Sequence, residues 1–384
     1  MTVKVGQRLC AIVACVCIVA FVVAMVAGCA EAPRRSDRKA ELPVFPPPPE
    51  PPRFYYERTI YSSADITRDE VSNLQRAVTG QTRTGEGLDK PYGVSVRKGR
   101  VYVTDTVRRQ VAVFDIPAQR FAWIGDDGPG ALRQPLGVDT DAQGNVYVAD
   151  ASARRVVVFD ATGKFLREVA GKDMFVRPNG VGVDAAGTRL YVVDTGGVSA
   201  SGETHRVRVF ELPSGRHLHD IGKRGSEPGE FNLPTDVAVA SDGSIFVVDA
   251  GNFRVQVFDR EGKFVRFFGA LGRRGGQFAR PKELALDTAR NVYIVDAAFG
   301  NFQIFDTEGR LLLDVGSRGS ADEPAKYLLP SGIAVDEDGR VYVVDQFFRK
   351  VDVYRPASLQ ANTGFAVAGA GATPKPPAAA KPAP

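Results

Sequence analysis

Six short segments of the chain share one pattern, in which an apolar, β-branched run ends in an aspartate. These aspartates are Asp105, Asp150, Asp194, Asp249, Asp296 and Asp345. Successive copies are separated by 45, 44, 55, 47 and 49 residues, a spacing typical of propellers and solenoids. The runs are short and are broken by Gly, Asp and Asn, so the pattern predicts strands and excludes helical repeats.

One repeat, residues 234–269, displays the internal order of each copy. Four runs, DVAVA, IFVVD, RVQVFD and KFVRFFG, are joined by turns such as SDGS and REGK. Asp-Gly and Glu-Gly at these points supply the positive φ that tight hairpins need. The first two runs are the most apolar, as expected of strands buried on both faces. Each copy is therefore predicted to be a four-stranded antiparallel unit.

The linkers between copies carry a family resemblance. Residues 268–287, FGALGRRGGQFARPKELALD, together with residues 249–259, DAGNFRVQVFD, resemble the NHL repeat. Weaker copies of the linker occur at residues 125–135, 222–234 and 316–330, and the resemblance extends over residues 88–355. It implies an all-β, six-bladed β-propeller of four-stranded antiparallel blades.

The sixth copy ends at VDVYRP, residue 356, without a fourth strand. Because open sheet edges are avoided, the segment FYYERTIY, residues 54–61, is predicted to close the ring as the outermost strand of the last blade. Residues 67–80 are predicted to form a short amphipathic helix. The Ala- and Pro-rich residues 357–384 are predicted to be disordered. The propeller domain accordingly spans residues 54–356.

The N-terminal residues 1–28 are predicted to be an export signal. Two cations precede an apolar segment that ends in VAGC, residues 26–29, although a membrane-spanning helix has a similar pattern. VAGC resembles the lipobox of bacterial lipoproteins, which implies cleavage before Cys29 and lipidation of that residue. Ala30 at the next position resembles the pattern for transfer to the outer membrane. Residues 29–53 are then a proline-rich tether, and the expected location is the envelope, facing the periplasm.

Charge and cysteine content narrow the classes of partner. Removing Lys4 and Arg8 with the signal lowers the net charge from +4 to +2. The overall charge of the mature protein therefore does not favour binding to nucleic acid. RNA binding would draw on Arg108, Arg109, Arg154 and Arg155, and the export signal opposes it. The other three cysteines lie within the signal segment, so no disulfide framework is expected. The propeller is expected to be monomeric.

Candidate catalytic residues are scarce. The repeated aspartates are expected to cap turns, and Arg155, Arg206 and Arg254 follow three of them. The chain has three histidines, His205, His217 and His219, all in one copy. They cannot supply a zinc set from different blades like that of the amidating lyases that share this propeller, although His217 and His219 leave an adventitious site open. No Gly-x-Ser-x-Gly elbow occurs.

The Pro-x-Gly loop that enters each inner strand changes in two adjacent copies. Asp236 and Glu283 replace the glycine, and Asn179 lies in the copy before. By residue type this set resembles the divalent-metal site of six-bladed lactonases. Neutral drift explains the same substitutions. A divalent cation at these three residues is the one cofactor to be considered.

Aromatic residues mark the loops after the repeated aspartate. Phe253, Phe299, Phe347 and Phe348 are candidate anchors for a partner, or they pack between blades. The longer loop of the third copy, residues 195–206, is predicted to be a flap. These features favour a non-catalytic, lipid-anchored envelope propeller that binds a protein or cell-wall ligand through one face. The alternative is a metal-dependent hydrolase or lyase with a site at the channel rim.

Overall fold

The computed structural model describes residues 42–68, 84–171, 173–196 and 204–369. Apart from three short 3-10 turns at 63–65, 128–130 and 250–252, the regular structure of these residues is entirely β. Six antiparallel sheets of four or five strands are arranged around a central channel, and the inner strands of neighbouring sheets contact each other all the way round. The predicted six-bladed propeller is confirmed.

In each of the first five blades the strands follow one another in chain order from the channel outward. Blade 1 contains β3 (Pro91–Arg97), β4 (Arg100–Asp105), β5 (Gln110–Asp115) and β6 (Arg120–Ile124). Blade 2 contains β7 (Pro135–Thr140), β8 (Val146–Asp150), β9 (Arg155–Phe159) and β10 (Phe165–Val169). Blade 3 contains β11 (Pro178–Val183), β12 (Arg189–Asp194), β13 (Arg206–Glu211) and β14 (His217–Ile221).

The remaining strands have the same order until the ring closes. Blade 4 contains β15 (Pro234–Val239), β16 (Ile245–Asp249), β17 (Arg254–Phe258) and β18 (Phe264–Phe268). Blade 5 contains β19 (Pro281–Leu286), β20 (Val292–Asp296), β21 (Asn301–Phe305) and β22 (Leu311–Val315). A two-stranded linker ladder follows, β23 (Ser317–Arg318) with β24 (Lys326–Tyr327). Blade 6 contains β25 (Pro330–Val335), β26 (Val341–Asp345), β27 (Lys350–Pro356), β2 (Phe54–Ile60) and β1 (Val44–Phe45).

The N-terminal strand β2 completes blade 6, as predicted. It pairs antiparallel with β27 from Phe54 opposite Pro356 to Ile60 opposite Val351. Phe54, Tyr56 and Ile60 are buried by this pairing. The ring is therefore closed by hydrogen bonds between β2, near the N-terminal end of the propeller, and β27, its last strand.

The prediction that β2 is the outermost strand is wrong. The two-residue strand β1 pairs outside it, and the ring of Phe45 lies edge-on 5.9 Å from that of Tyr354. The backbone N–H of Arg53 donates to the carbonyl of Phe45 at 2.6 Å, so the prolines between them reverse the chain. The end of the predicted tether thus folds back onto the blade, because the exposed edge of β2 offers unpaired backbone groups to an apolar Val-Phe pair.

The prediction of disorder from residue 357 is wrong for residues 357–369. Ala366 is buried between blades 6 and 1, and the Arg58 guanidinium donates to its carbonyl at 2.5 Å. The N–H of Gly369 donates to the carbonyl of Pro117 in blade 1 at 2.8 Å. These residues therefore contact both blades at the seam, defined here as the boundary between blades 6 and 1.

Two further predictions fall mainly outside the described residues, namely the helix at 67–80 and the flap at 195–206. The export signal and Cys29 also lie outside them. Within the described part of the chain, no helix has the length and apolar character needed to cross a membrane.

Close packing of the inner strands sets the width of the channel. A Cβ atom on Gly137 would lie 2.6 Å from the carbonyl oxygen of Asn179 in the next blade. A Cβ on Gly332 would lie equally close, 2.6 Å, to the carbonyl oxygen of Tyr92. The glycine of the Pro-x-Gly loop therefore lets adjacent inner strands approach, and a residue with a side chain at this position must direct it elsewhere.

Candidate functional site: the channel and the upper face

The upper face is defined here as the end of the propeller at which each inner strand begins with proline and the next strand ends with aspartate. The two residues are paired in all six blades, as Pro91–Asp105, Pro135–Asp150, Pro178–Asp194, Pro234–Asp249, Pro281–Asp296 and Pro330–Asp345. This pairing places the entry loops and the loops after the repeated aspartate on one face. The same face surrounds the channel mouth.

The six aspartates organise this face from inside. All are fully buried, and Asp345 illustrates their contacts. One of its oxygens accepts the N–H groups of Leu328 and Leu329 at 2.8 and 3.0 Å, and the other accepts those of Phe347 and Phe348 at 2.8 and 2.9 Å. Asp105, Asp150, Asp249 and Asp296 likewise join the loop that enters the blade to the loop between the second and third strands. Asp194 accepts the N–H groups of Val176 and Arg177 in the entering loop. This is the capping role expected from the sequence.

The arginines that follow three of these aspartates do not behave alike. Arg254 pairs with Asp249 at 2.9 Å, and Arg206 approaches Asp194 at 3.7 Å. Arg155 instead pairs with Glu168 on the outer strand at 2.8 Å.

The three predicted rim residues lie at the second or third position of their inner strands, near the upper face; this part of the channel is called the neck below. The solvent-exposed fraction is 7% for each of Asn179, Asp236 and Glu283. Tyr92 joins them from blade 1, and its hydroxyl donates to Oδ1 of Asn179 at 3.3 Å. Oδ2 of Asp236 accepts the N–H of Leu284 in the next blade at 3.0 Å. The substitutions at the Pro-x-Gly position therefore put two carboxyl groups into the centre of the ring.

Glu283 is the least satisfied of these groups. Its carboxylate fits into space left by glycines in the next two blades, since a Cβ on Gly93 or Gly332 would lie 3.1 or 3.2 Å from its oxygens. Oε1 is buried and has no well-formed hydrogen bond among the described residues. The backbone N–H groups of Ile333 and Val94 are directed at the carboxylate and oppose the rise in its pKa. A buried carboxylate with so few donors is costly.

The neck carboxyls are forced toward their neutral forms. Burial raises the pKa of Asp236, and the nearby charge of Asp139 raises it further. Burial likewise raises the pKa of Glu283 well above its ordinary value, and the charge of Asp236 adds to the effect. At Lys282, which directly precedes Glu283 in β19, burial and the charges of Arg280 and Arg177 lower the pKa of the ammonium group. The neck is therefore an electrostatically unfavourable place for charge in the unliganded protein.

Asp139 is a third channel carboxyl that sequence reasoning missed. It is the fifth residue of its inner strand, where the other blades have Ser, Gly or Ala. It accepts the N–H groups of Val183 and Thr140 at 2.8 and 2.7 Å, yet burial raises its pKa to about 6. Aligning the inner strands position by position would have detected it, because a charged residue at this inward-facing site breaks the pattern. Tyr92 and Lys282 were missed because both occupy the variable position of the Pro-x-Gly loop.

Below the neck all six inner strands enclose a cavity of about 400 Å³. Asp236 and Glu283 line one end, and Ser95, Asp139 and Thr140 lie on its wall, so the surface that the cavity exposes is mainly polar. In the described chain, no group of three or more His, Cys, Asp and Glu residues is arranged to hold a metal ion. The arrangement offers carboxyl and hydroxyl groups in a cavity of the size that small ligands occupy.

The histidines are engaged in local structure. His205 is buried, and its Nδ1 accepts the N–H of Leu233 at 3.2 Å. Nε2 of His217 lies 2.7 Å from Oδ1 of Asp220 on the same outer strand. Burial lowers the pKa of both His205 and His219. None of the three lies on an inner strand of the channel.

Of the four candidate anchors, Phe347 alone is exposed, at 59%. Its ring lies edge-on to that of Phe348, and the ammonium group of Lys350 lies 5.5 Å from the Phe348 ring. Phe253 adopts a left-handed backbone, φ 55°, and packs against the core between blades 4 and 5. Phe299 is half-buried. Of the four, Phe253 packs between blades, as one of the two interpretations expected, Phe299 and Phe348 are half-buried, and Phe347 is exposed.

Comparison with known proteins identifies one repeat of this propeller. The family model of the NHL repeat matches residues 231–258, which include β15, β16 and β17 of blade 4. The chain is a six-bladed β-propeller that contains an NHL repeat, and it is called the NHL-repeat propeller below. Within the NHL-repeat propeller, the matched residues contain the Pro-x-Gly loop position occupied by Asp236 and the capping residue Asp249.

Curated relatives share short stretches of the NHL-repeat propeller. Human E3 ubiquitin-protein ligase TRIM32 is 51% identical over 45 residues, 12% of this chain and 7% of that protein. Human NHL repeat-containing protein 3 is 38% identical over 78 residues, 19% of this chain and 22% of that protein. A probable peptidyl-alpha-hydroxyglycine alpha-amidating lyase of Caenorhabditis elegans is 32% identical over 96 residues, 24% of this chain and 25% of that protein. The matches thus span a quarter or less of each relative.

Solved structures resemble the NHL-repeat propeller over most of its length. A Bacteroides thetaiotaomicron protein of unknown function has a TM-score of 0.56 and 17% identity, covering 78% of this chain and 76% of its own. A gluconolactonase of Xanthomonas campestris has a TM-score of 0.53 and 15% identity, covering 70% and 86%. Hydrazine synthase of Kuenenia stuttgartiensis has a TM-score of 0.52 and 18% identity, covering 73% and 86%. At such identities the likeness is one of fold alone.

Proposed function

We propose that this NHL-repeat propeller is a non-catalytic envelope protein, anchored by lipid on Cys29, that binds a protein or cell-wall ligand through its upper face. The observation that carries the proposal is the combination, on that face, of exposed apolar side chains with cations that have no acidic partner. Neither feature contributes to the packing of the blades.

The apolar component lies on loops around the channel mouth. Val107 and Phe347, in the loops after the repeated aspartates of blades 1 and 6, are 60% and 59% exposed. Leu233, directly before the inner strand of blade 4, is 41% exposed. Large apolar side chains held on rigid loops are typical interface anchors, because their burial by a partner costs little conformational entropy.

The charged component is basic. Within the described residues, several exposed cations at the entry loops and the loops after the aspartates make no side-chain hydrogen bond or ion pair. They are Lys90, Arg109, Arg133, Arg154, Arg177, Arg280 and Arg349. Unpaired cations around an apolar surface favour a partner with exposed carboxyl or other anionic groups, which they would attract and orient. An acidic protein or an anionic cell-wall polymer has this character.

Site-specific photocrosslinking in cells tests the partner proposal. A photoreactive residue is placed at Phe347, and the matched control is placed at Glu261, an exposed turn residue between β17 and β18 on the opposite face. We expect a discrete crosslinked product from position 347 and none from position 261. No specific product at 347, or the same products from both positions, would overturn the proposal.

Lipid anchoring is tested separately, since Cys29 is the expected attachment point. Cys29→Ala is expected to abolish incorporation of a labelled fatty acid and to move the protein out of the membrane fraction. A Cys29→Ala protein that is still labelled and still sediments with membranes would contradict this part of the proposal. If the Cys29→Ala protein still binds its partner, lipid anchoring and partner binding are independent of each other.

A second function, a metal-dependent hydrolase or lyase, is favoured by one observation. Asn179, Asp236 and Glu283 are oxygen ligands at the neck, and Oε1 of Glu283 makes no well-formed hydrogen bond with the residues that the structure describes. Oxygen-rich sites of this kind suit Ca²⁺ and related hard cations. Calorimetric titration with Ca²⁺ and Mn²⁺ tests it: saturable binding that Glu283→Gln removes would support a metal site, and the absence of saturable binding would leave this function without its cofactor.

A further inference from the structure

Blade 2 has an open groove on the upper face, between the linker that enters the blade and the loop between its second and third strands. Residues of the segment 128–133 line it from one side, and residues 152–155 line it from the other. Glu168 of the outer strand β10 also lines it, and its volume is about 580 Å³. The linker is short here, since residues 125–135 are two fewer than the equivalent residues 222–234 that enter blade 4.

The groove is open because the side chain at position 153 is small. In the four other blades whose loops after the aspartate have the same length, the equivalent residues are larger, namely Arg108, Asn252, Phe299 and Phe348. Asn252 shows where such a side chain is directed, because its Nδ2 donates to the carbonyl of Gly225 in the entering linker at 3.0 Å. Ala153 leaves this space unfilled.

The groove is basic. Three arginines line it, Arg133, Arg154 and Arg155, and Glu168 is the one acidic residue among its lining residues. Arg155 pairs with Glu168 at 2.8 Å and donates to two linker carbonyls at 3.1 and 2.8 Å. Arg133 and Arg154 are exposed, and their side chains make no hydrogen bond or ion pair in the described chain. The groove therefore contains two guanidinium groups that no lining carboxylate balances.

The unpaired charge at position 133 is particular to blade 2. In blade 1 the equivalent residue is Asp89, which pairs with Arg108 at 2.9 Å. The equivalents in blades 3 to 6 are uncharged, namely Val176, Asn232, Ala279 and Leu328. Asp150 accepts the backbone N–H of Arg133 at 2.9 Å, so the capping of the blade does not need the side chain. A vacant space and an unpaired pair of cations thus coincide in one blade.

The rest of the lining favours one kind of anion. Pro129 is exposed and Ala131 is half-buried, so the linker offers a small apolar surface beside the arginines. The linker carbonyls already accept Arg155, and the hydroxyl of Ser152 donates to Gln134 at 2.7 Å. Sugar hydroxyls need acceptors as well as donors, and few acceptors are free here. A carboxylate next to an aliphatic side chain needs only cationic donors and an apolar contact, and the groove has both.

We propose that this groove binds an acidic peptide segment of a partner protein, with a carboxylate bound by Arg133 and Arg154 and an adjacent aliphatic side chain against Pro129 and Ala131. The inference rests on the proposed function, because it assigns the chemistry of one part of the upper face. Planar guanidinium groups suit a carboxylate, since each can donate two parallel N–H bonds to it.

Fluorescence anisotropy with a labelled synthetic peptide, acetyl-Glu-Leu-Glu-Leu-Glu, tests the proposal on the full chain in detergent solution. We expect saturable binding that weakens as salt is added. Arg133→Gln should weaken it at least about tenfold, because a charge-assisted hydrogen bond is lost. The matched control is Arg260→Gln, an exposed arginine in the turn between β17 and β18 on the opposite face, and it should bind as the wild type does.

Ala153→Phe tests the groove without altering its charge. Phenylalanine occupies the equivalent position in blades 5 and 6, as Phe299 and Phe348, so the loop accommodates this side chain. We expect the Ala153→Phe protein to melt at the same temperature as the wild type. Its affinity for the peptide should fall at least about tenfold, because the added ring occupies the space that the ligand needs.

Each of the other outcomes contradicts the proposal. Absence of saturable peptide binding to the wild-type protein overturns it, and so does equal binding by a folded Ala153→Phe protein. Equal affinity for acetyl-Gln-Leu-Gln-Leu-Gln would show that the carboxylates are not recognised. Tighter binding of polygalacturonate, at equal carboxylate concentration, would assign the groove to an anionic glycan. If the peptide fails to bind while the crosslink from Phe347 persists, this inference is wrong and the proposed function of the upper face stands.

Discussion

The closing strand β2 can be tested through a single side chain. Ile60 is fully buried, lies opposite Val351 of β27, and belongs to the apolar cluster between blades 6 and 1. Replacing it with alanine removes three carbon atoms from a site between β2, β27 and blade 1. The resulting decrease in the free energy of unfolding therefore measures how strongly the N-terminal strand holds the propeller closed.

The magnitude follows from the burial. Truncating a fully buried Ile to Ala typically lowers the free energy of unfolding by about 2 to 5 kcal/mol, and the cost is highest where the surroundings cannot collapse. Ile60 lies between two paired strands and the neighbouring blade, so we expect about 3 kcal/mol. Since whole domains are stable by about 5 to 15 kcal/mol, this is a large fraction of the total.

Urea unfolding of the Ile60→Ala protein, followed by circular dichroism, measures the change. The matched control is Leu166→Ala, an aliphatic residue of the outer strand β10 that is 43% exposed; we expect it to cost less than about 1 kcal/mol. If Ile60→Ala and Leu166→Ala cost the same, or if Ile60→Ala leaves the midpoint unchanged, β2 does not secure the ring.

Three further predictions concern the seam, the neck and the capping aspartates. Truncation after residue 356 should lower Tm by several degrees relative to truncation after residue 369, because the contacts of Ala366 between blades 6 and 1 are lost. Differential scanning calorimetry measures the two Tm values, and equal values would contradict the prediction. The raised pKa of Asp236 means that the folded state loses stability as pH rises above the ordinary carboxyl pKa toward the raised one. The free energy of unfolding of Asp236→Asn should therefore increase relative to that of the wild type as the pH is raised from 4 to 8, as measured by urea unfolding. If the difference between the two proteins does not change with pH, the burial argument is refuted. Asp296→Ala leaves the N–H groups of Ala279 and Arg280 without their acceptor and should cost about 2 kcal/mol or more in thermal melts; a neutral result would exclude the capping role.

The blades and their order were predictable because the same pattern of strands and turns occurs six times in the sequence. The capping role of the aspartate at the end of each second strand was predictable as well, because this residue recurs beside the same short loops. Closure by β2 followed from counting strands. The two-residue strand β1 was not predictable, because two residues carry no periodicity and the surrounding prolines favour an extended spacer.

The candidate site was predictable in part for a similar reason. Asp236 and Glu283 interrupt a repeated Pro-x-Gly, so their position at the neck followed from the pattern. The incomplete hydrogen bonding of Glu283 and the raised pKa of Asp139 depend on how six strands converge. Among the phenylalanines, exposure depends on local backbone conformation: Phe253 occupies a left-handed turn position and packs inward, whereas Phe347 points outward. Sequence spacing alone does not distinguish these outcomes.

The upper face as a partner-binding surface is the central claim, and charge reversal at the channel mouth tests it most directly. The crosslink from position 347 is measured in cells carrying Arg177→Glu and Arg280→Glu, two exposed cations without ion pairs in the described chain. The account predicts that the crosslinked product falls at least about tenfold while Tm is unchanged. An undiminished crosslink in a folded double variant would contradict the claim.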